Sequence, residues 1–209
     1  MRGFTKFAWL PVLAVSLTAA PISLNTGTAG WQVTQTSGTA NGPSLNTTGS
    51  AVVLTGTLPF AANLPGFESF AWANPFGGAV WVGQLATDGQ FTNGTTITCG
   101  SPCGANAGDY IYTLTFAGGF GGTFSLTGFT GDNGVRQLTV SDSSGQIYGC
   151  TSGGGAPAQP LGTLCAGTQN AVTASTGTLS YAAGGTVTIT ARVQNLDGPG
   201  RNPSGFILA

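Results

Sequence analysis

The chain of 209 residues contains no histidine. The commonest general base is therefore missing, and neither a Ser-His-Asp nor a Cys-His arrangement can be assembled. Acid and base work is left to six carboxylates: Glu68, Asp88, Asp109, Asp132, Asp142 and Asp197. A carboxylate pair is enough for glycoside hydrolysis. Four of the six, however, stand beside turn formers, in Asp88-Gly89, Asp132-Asn133-Gly134, Asp142-Ser143 and Asp197-Gly198. There aspartate is favoured because it bonds its own backbone, so a turn explains the residue without a substrate. Glu68 is the only glutamate and has no evident partner in the sequence. A carboxylate-dependent hydrolase thus ranks third among the readings of this chain, and the expectation is a protein without catalytic residues.

Cofactor chemistry finds little support either. Asp132 and Asn133 could lend oxygens to calcium, which takes about six to eight, but no Asp-x-Asp-x-Asp ladder accompanies them. A plain turn is the simpler reading, and no metal or cofactor is expected. The run Gly118-Gly119-Phe120-Gly121-Gly122 lacks the lysine and the following helix of a phosphate loop. Cys99, Cys103, Cys150 and Cys165 are an even set, which in an oxidising compartment reads as two disulfides. Local pairing, Cys99 with Cys103 and Cys150 with Cys165, is expected because turn formers fill both intervals. A four-thiolate zinc site is the rival, but only one of the two cysteine pairs is short.

The aromatic residues offer a binding chemistry. Sugars present apolar CH faces to open aromatic rings and hydroxyls to polar side chains. Trp72 and Trp81 lie among Asn63, Asn74 and Gln84, so Trp72, Asn74, Trp81 and Gln84 form the candidate ligand-binding set. The opposing reading places both indoles in the core, as large aromatics commonly are. It weighs heavier for Trp81, which Val80 and Val82 flank.

These residues need a scaffold, and the sequence points to an exported one. Arg2 and Lys6 precede an apolar run from Phe7 to Ala20 that ends in small residues, the order of a secretory signal peptide. The run is shorter than the roughly 20 residues of a membrane span and contains Pro11. Cleavage is expected after Ala20, with Gly27-Thr28-Ala29 as a second small-residue site, and residues 21–30 read as a leading linker. The remaining 189 residues suit one domain, over 31–209. Three arginines, Arg136, Arg192 and Arg201, then face six acids, a net charge of −3. So few cations cannot neutralise a row of phosphates, which excludes nucleic acid, and they argue equally against anionic lipid.

Thirty-six glycines and many Thr, Ser and Asn break the chain into short runs, and no window of helical length carries an apolar stripe. Alternation of period two is plain instead. Tyr110, Tyr112, Leu114 and Phe116 share one face, and so do Val187, Ile189, Ala191 and Val193. Further strands are expected over 31–35, 50–56, 68–73, 79–85, 122–129, 135–141 and 204–208, with 118–122 and 142–145 as hairpin turns. Residues 25–30, 37–48 and 151–162 read as loops. Many short strands without helices predict an all-β, two-sheet antiparallel β-sandwich.

Four segments resemble a family of bacterial exported jelly-roll domains found in PEP-CTERM-sorted and exopolysaccharide-associated proteins, themselves similar to galactose-binding-like carbohydrate modules. They are Phe70-Ala71-Trp72 through Val80-Trp81-Val82-Gly83, Gly108-Asp109-Tyr110-Ile111-Tyr112 through Phe116, Leu126 through Val135, and Asn195 through Phe206. The chain departs from the family at two places, one within the third segment and one in a turn outside the four. Phe129 stands at a tryptophan position, and Asp142-Ser143-Ser144-Gly145 replaces an Asn-Gly turn. No Pro-Glu-Pro signal follows Phe206, so the resemblance carries no anchoring with it.

The resemblance implies a jelly-roll sandwich that binds extracellular polysaccharide or builds into matrix, secreted and without a membrane partner after cleavage. The reading from another class is a structural or adhesive subunit that self-associates through β-edges, since few edge charges exist to block pairing.

Overall fold

The computed structural model describes residues 24–28, 30–38, 43–55, 58–63, 71–89, 108–151, 163–165, 175–195 and 204–209. In chain order its strands are β1 (Gln32–Gln35), β2 (Thr48–Ser50), β3 (Val52–Val53), β4 (Val82–Gly83), β5 (Gly108–Ala117), β6 (Gly122–Phe124) and β7 (Phe129–Gly131). There follow β8 (Val135–Asp142), β9 (Gly145–Thr151), β10 (Thr163–Leu164), β11 (Leu179–Tyr181), β12 (Thr186–Asn195) and β13 (Phe206–Leu208). A single 3-10 turn, Ala61–Asn63, is the one helical element among the described residues.

The strands form an all-β fold. A larger sheet runs β10-β9-β8-β12-β5-β1-β2, a smaller one β3-β4-β13-β7, and β11 pairs with β6 apart from both. Every pairing is antiparallel except that of β10, which joins β9 in parallel. The two long alternating runs lie side by side at the centre of the larger sheet, with Thr186 opposite Ala117 and Asn195 opposite Gly108. Val187, Ile189, Ala191 and Val193 are fully buried, as are Tyr110, Tyr112 and Leu114 beside them. Burying a valine or isoleucine contributes roughly 1.5–3 kcal/mol, so this pair of strands anchors the core.

Phe206 and Leu208 of β13, Phe129 of β7 and Val82 of β4 enter the same core cluster. The sheets therefore pack over one shared interior, as in a β-sandwich. Ile207 points the other way, into a second cluster with Leu54, Trp72, Ala79 and Trp81. The smaller sheet is thus covered on both faces, which is why all three residues of β13 are buried.

Several expectations are corrected or fall outside the described residues. The proposed signal peptide, residues 1–20, lies outside them. Residues 24–28, expected in a linker, pack along β13, with Leu24 buried and Thr26 N–H donating to the Leu208 carbonyl (2.9 Å). The glycine run 118–122 does turn the chain, but it does not close a hairpin between neighbours. β6 leaves β5 and pairs with β11, a strand the sequence reading had passed over. The expected strand over 50–56 is split at Ala51, where the chain passes from the larger sheet to the smaller. Of the strand expected over 68–73, residues 68–70 lie outside the described residues, and Trp72 makes only an isolated bridge to Phe60.

Candidate functional site

The four residues of the candidate binding set do not share a surface. Trp72 and Trp81 are buried, at 3% and 1% exposure, and stack on each other with ring centroids 4.1 Å apart and planes 24° apart. Trp72 Nε1 donates to Asp132 Oδ1 (3.0 Å), and Trp81 Nε1 to the Ala73 carbonyl (3.0 Å). Gly205, just before β13, makes room for Trp72, and Gly83 of β4 makes room for Leu54 in the same cluster. A Cβ on Gly205 would sit 2.9 Å from Trp72 Cη2, and one on Gly83 would sit 2.7 Å from Leu54 Cδ2. Stacking on a sugar needs an open ring face, and these rings spend their faces on each other and on the protein. Asn74 is exposed, Gln84 is buried two residues beyond Val82, and Asn63 donates to the Leu58 carbonyl (2.8 Å).

Register gathers most of the described charge at one end of the sandwich, where β4, β7 and β12 finish and β5, β8 and β13 begin. Asp88 and Asp132 are both buried there and flank the entry to β13. Ser204 N–H donates to the Asp88 carbonyl (2.8 Å) and Asp132 N–H to the Gly205 carbonyl (3.0 Å). Asp88 Oδ2 accepts the Leu85 N–H (2.7 Å). Burial pushes the Asp88 carboxyl up to about 6, against the bonds from the Leu85 and Gln84 backbone. Tyr112, wholly buried between the sheets, is pushed well above the ordinary tyrosine range, first by burial and then by the charges of Asp88, Tyr110 and Asp132. Its hydroxyl, Gln84 Nε2 and Ser204 Oγ are buried without a hydrogen-bond partner.

Nearer the surface, Asp109 pairs with Arg192 (2.8 Å) and accepts from the Ser37 hydroxyl (3.1 Å). The hydrogen bond to Asp109 leads the causes that raise the Arg192 guanidinium above its usual value. Arg136 Nε donates to Gln194 Oε1 (2.9 Å). Asn133 sits in the turn after β7 at φ 48°, and the Gly134 N–H closes that turn on the Gly131 carbonyl (3.0 Å). Among the described residues no group of three or more His, Cys, Asp or Glu side chains could hold a metal ion.

Cys150 and Cys165 form a disulfide, with sulfurs 2.00 Å apart, that ties β9 to the short parallel strand β10. Cys99 and Cys103 lie outside the described residues, as do Glu68 and Asp197.

The opposite end is of another kind. Phe116, Phe124 and Tyr181 meet there as a trio of half-buried rings, with centroids 5.9–6.1 Å apart. Beside them a cleft of about 270 Å³ is lined by Leu24, Asn25, Gly77, Phe124, Ser125, Thr127 and Ala209. None of the seven carries a charged side chain. Phe124 supplies an aromatic wall, and Asn25, Ser125 and Thr127 supply side chains able to give and accept hydrogen bonds. Trp31 is near, its Nε1 donating to the Asn25 carbonyl (3.2 Å). The sequence reading missed this site because its walls come from four separated segments. The alternation of Gly122-Thr123-Phe124 was the one local signal for it. At the same end Phe120, at the tip of the glycine loop, is 75% exposed.

No family model matches the chain, nor does any curated protein or solved structure, which leaves the reading of function to the geometry of these two ends.

Proposed function

We propose that the chain is a secreted, non-catalytic β-sandwich module of jelly-roll type that binds neutral extracellular polysaccharide. The observation that carries this reading is the cleft walled by Phe124, whose lining side chains are all uncharged. A sugar ring matches such a site with a CH face against the phenyl ring and hydroxyls toward Asn25, Ser125 and Thr127. Binding sites are concave, largely apolar surfaces with a few placed polar groups, and the cleft has room for about one sugar unit. The one disulfide among the described residues suits an oxidising compartment. The motif resemblance to exopolysaccharide-associated domains points to the same ligand class.

The test is a glycan array on the mature, oxidised protein, followed by calorimetry and tryptophan fluorescence with any glycan retained. Phe124→Ala is expected to weaken binding by about ten-fold or more, near 1.4 kcal/mol, while the circular dichroism spectrum stays unchanged. Silence across neutral glycans, or binding indifferent to Phe124→Ala, would overturn the reading. A subunit that assembles through its β-edges is the second reading, favoured by an exposed, uncharged edge at β2 and β3.

A further inference from the structure

We propose that Arg136, turned out of the core by a β-bulge, binds the carboxylate of a uronic-acid unit in an extracellular polysaccharide. The site lies on the outer face of the larger sheet, and the inference does not rest on the glycan-binding reading of the cleft.

The bulge decides where Arg136 points. In β8, Leu138 and Val140 face the core and are fully buried. Strict alternation would send Arg136, two residues before Leu138, to that same face. The ladder with β12 prevents this. Arg192 lies opposite Gln137, but Val193 lies opposite Val135, which leaves Arg136 as the extra residue of a bulge. Val135 takes the core position, fully buried. Arg136 emerges on the outer face, where Gln194, set between the buried Val193 and Asn195, accepts its Nε–H (2.9 Å). A bulge gives up regular ladder bonding, so a strand that had only to cover the core would be simpler without it.

That hydrogen bond fixes the guanidinium plane and leaves its far edge unused. Among the described residues neither Nη1 nor Nη2 of Arg136 has a hydrogen-bond or ion-pair partner, and neither is sealed from solvent. An edge of parallel N–H donors is the fork that takes both oxygens of a carboxylate. Asp109, opposite Gln194 on the same face, does not fill it, because it is committed to Arg192 (2.8 Å) and to the Ser37 hydroxyl (3.1 Å). Two guanidinium groups against one carboxylate leave this patch one positive charge in excess, on a chain whose net charge is −1.

One excess charge suits a single carboxylate and not a row of phosphates. The surroundings suit a sugar. Gln137, Thr139, Thr190 and Gln194 are half-buried on this face and offer amides and hydroxyls for sugar hydroxyls. Protein partners are instead held by large anchoring side chains in a dry centre. The three large apolar side chains exposed among the described residues, Leu45, Val53 and Phe120, all lie off β5, β8 and β12, which build this face.

The test is calorimetry at low salt on the oxidised protein with oligogalacturonate as the probe. Binding is expected, and Arg136→Gln should weaken it by about ten-fold or more, the loss of a charge-assisted pair. Arg136→Lys keeps the charge without the fork, and Gln194→Leu keeps the arginine without its brace. Each should weaken binding several-fold, with the far-ultraviolet spectrum unchanged. With the methyl-esterified oligosaccharide, which carries no charge, wild type and Arg136→Gln should not differ. Oligoglutamate, which has carboxylates and no sugar, should bind at least about ten-fold more weakly than oligogalacturonate. Oligogalacturonate binding that is absent or indifferent to Arg136→Gln, an Arg136 effect that persists with the ester, or equal affinity for oligoglutamate would overturn the proposal. Neutral glycans measured on Arg136→Gln, whose cleft is untouched, keep the two readings separable.

Discussion

The two ends of the sandwich solve opposite problems. At the end where β13 begins, polar groups are sealed in: Asp88, Asp132, Gln84, Ser204 and the Tyr112 hydroxyl are all buried. At the end where β5 turns over, aromatic groups are left partly open, with Phe116, Phe124 and Tyr181 half-buried and Phe120 in solvent. Each inverts the ordinary arrangement of greasy interior and polar surface. Buried polarity without a matching counter-charge costs stability, whereas accessible aromatic surface costs little and can be recovered on binding. On the function proposed above, the first end does structural work and the second meets the ligand.

The sharpest way to break that assignment is Trp72→Ala. It removes one ring of the stacked pair and the N–H that Asp132 Oδ1 accepts, and the expected loss is about 3–5 kcal/mol in urea denaturation, the range for a core aromatic truncated to alanine. A change below about 1 kcal/mol would mean that the indole is not structural, and would return it to the list of ligand contacts.

A smaller effect with a distinctive pH signature is expected of Asp88→Asn. The folded carboxyl holds its proton up to about pH 6, and the unfolded one releases it near 3.8. Between those values the folded state binds more protons, so stability falls as pH rises through the window. The ceiling is about 3 kcal/mol, from roughly 1.4 kcal/mol per pH unit. Relative to wild type, Asp88→Asn should therefore gain stability from pH 4 to 6 and keep that gain at pH 7. Thermal melts of both proteins over that range would show it. A difference that does not vary with pH would mean that the buried charge is compensated.

Least of all is expected of Asp142→Asn, at the open end. The Ser144 hydroxyl, helped by the Ala182 and Ser144 N–H groups, holds this exposed carboxyl below its usual range. Its contribution is present above the unfolded carboxylate value and lost as pH falls, the reverse of Asp88. The variant should trail wild type slightly at pH 7 and converge with it in acid. If both aspartates drifted in the same direction with pH, the electrostatic contrast between the ends would fail.

Much of this architecture was legible in the residues. Alternation over Tyr110 to Phe116 and over Val187 to Val193 gave both central strands and their buried faces, because a long half-buried strand leaves a period-two record. The turn at Asp142 to Gly145 was legible through its own side-chain chemistry, and so was the Cys150 pairing, through the turn formers between the cysteines. What escaped was partnership. A glycine run says that the chain reverses but not against which strand it next lies, so β6 was given to β5 when Leu179 to Tyr181 takes it. Trp72 and Trp81 were ambiguous because an indole among small polar residues reads the same in a groove and in a core. Gly205, distant in the chain, makes the room that Trp72 fills. Residues 24–28 looked like linker because Thr26 is held through its N–H and hydroxyl by backbone groups of Val80 and Leu208, partners far away in the chain that leave no mark on local composition.

The disulfide has a consequence for how one border of the larger sheet ends. Cys150 and Cys165 fasten β10 in parallel against the last two residues of β9, Cys150 and Thr151, so this stretch of border is closed by a covalent link as well as by hydrogen bonds. A strand pinned in that way stays beside the ladder it covers even when its hydrogen bonds open, and a covered ladder does not offer itself to another chain.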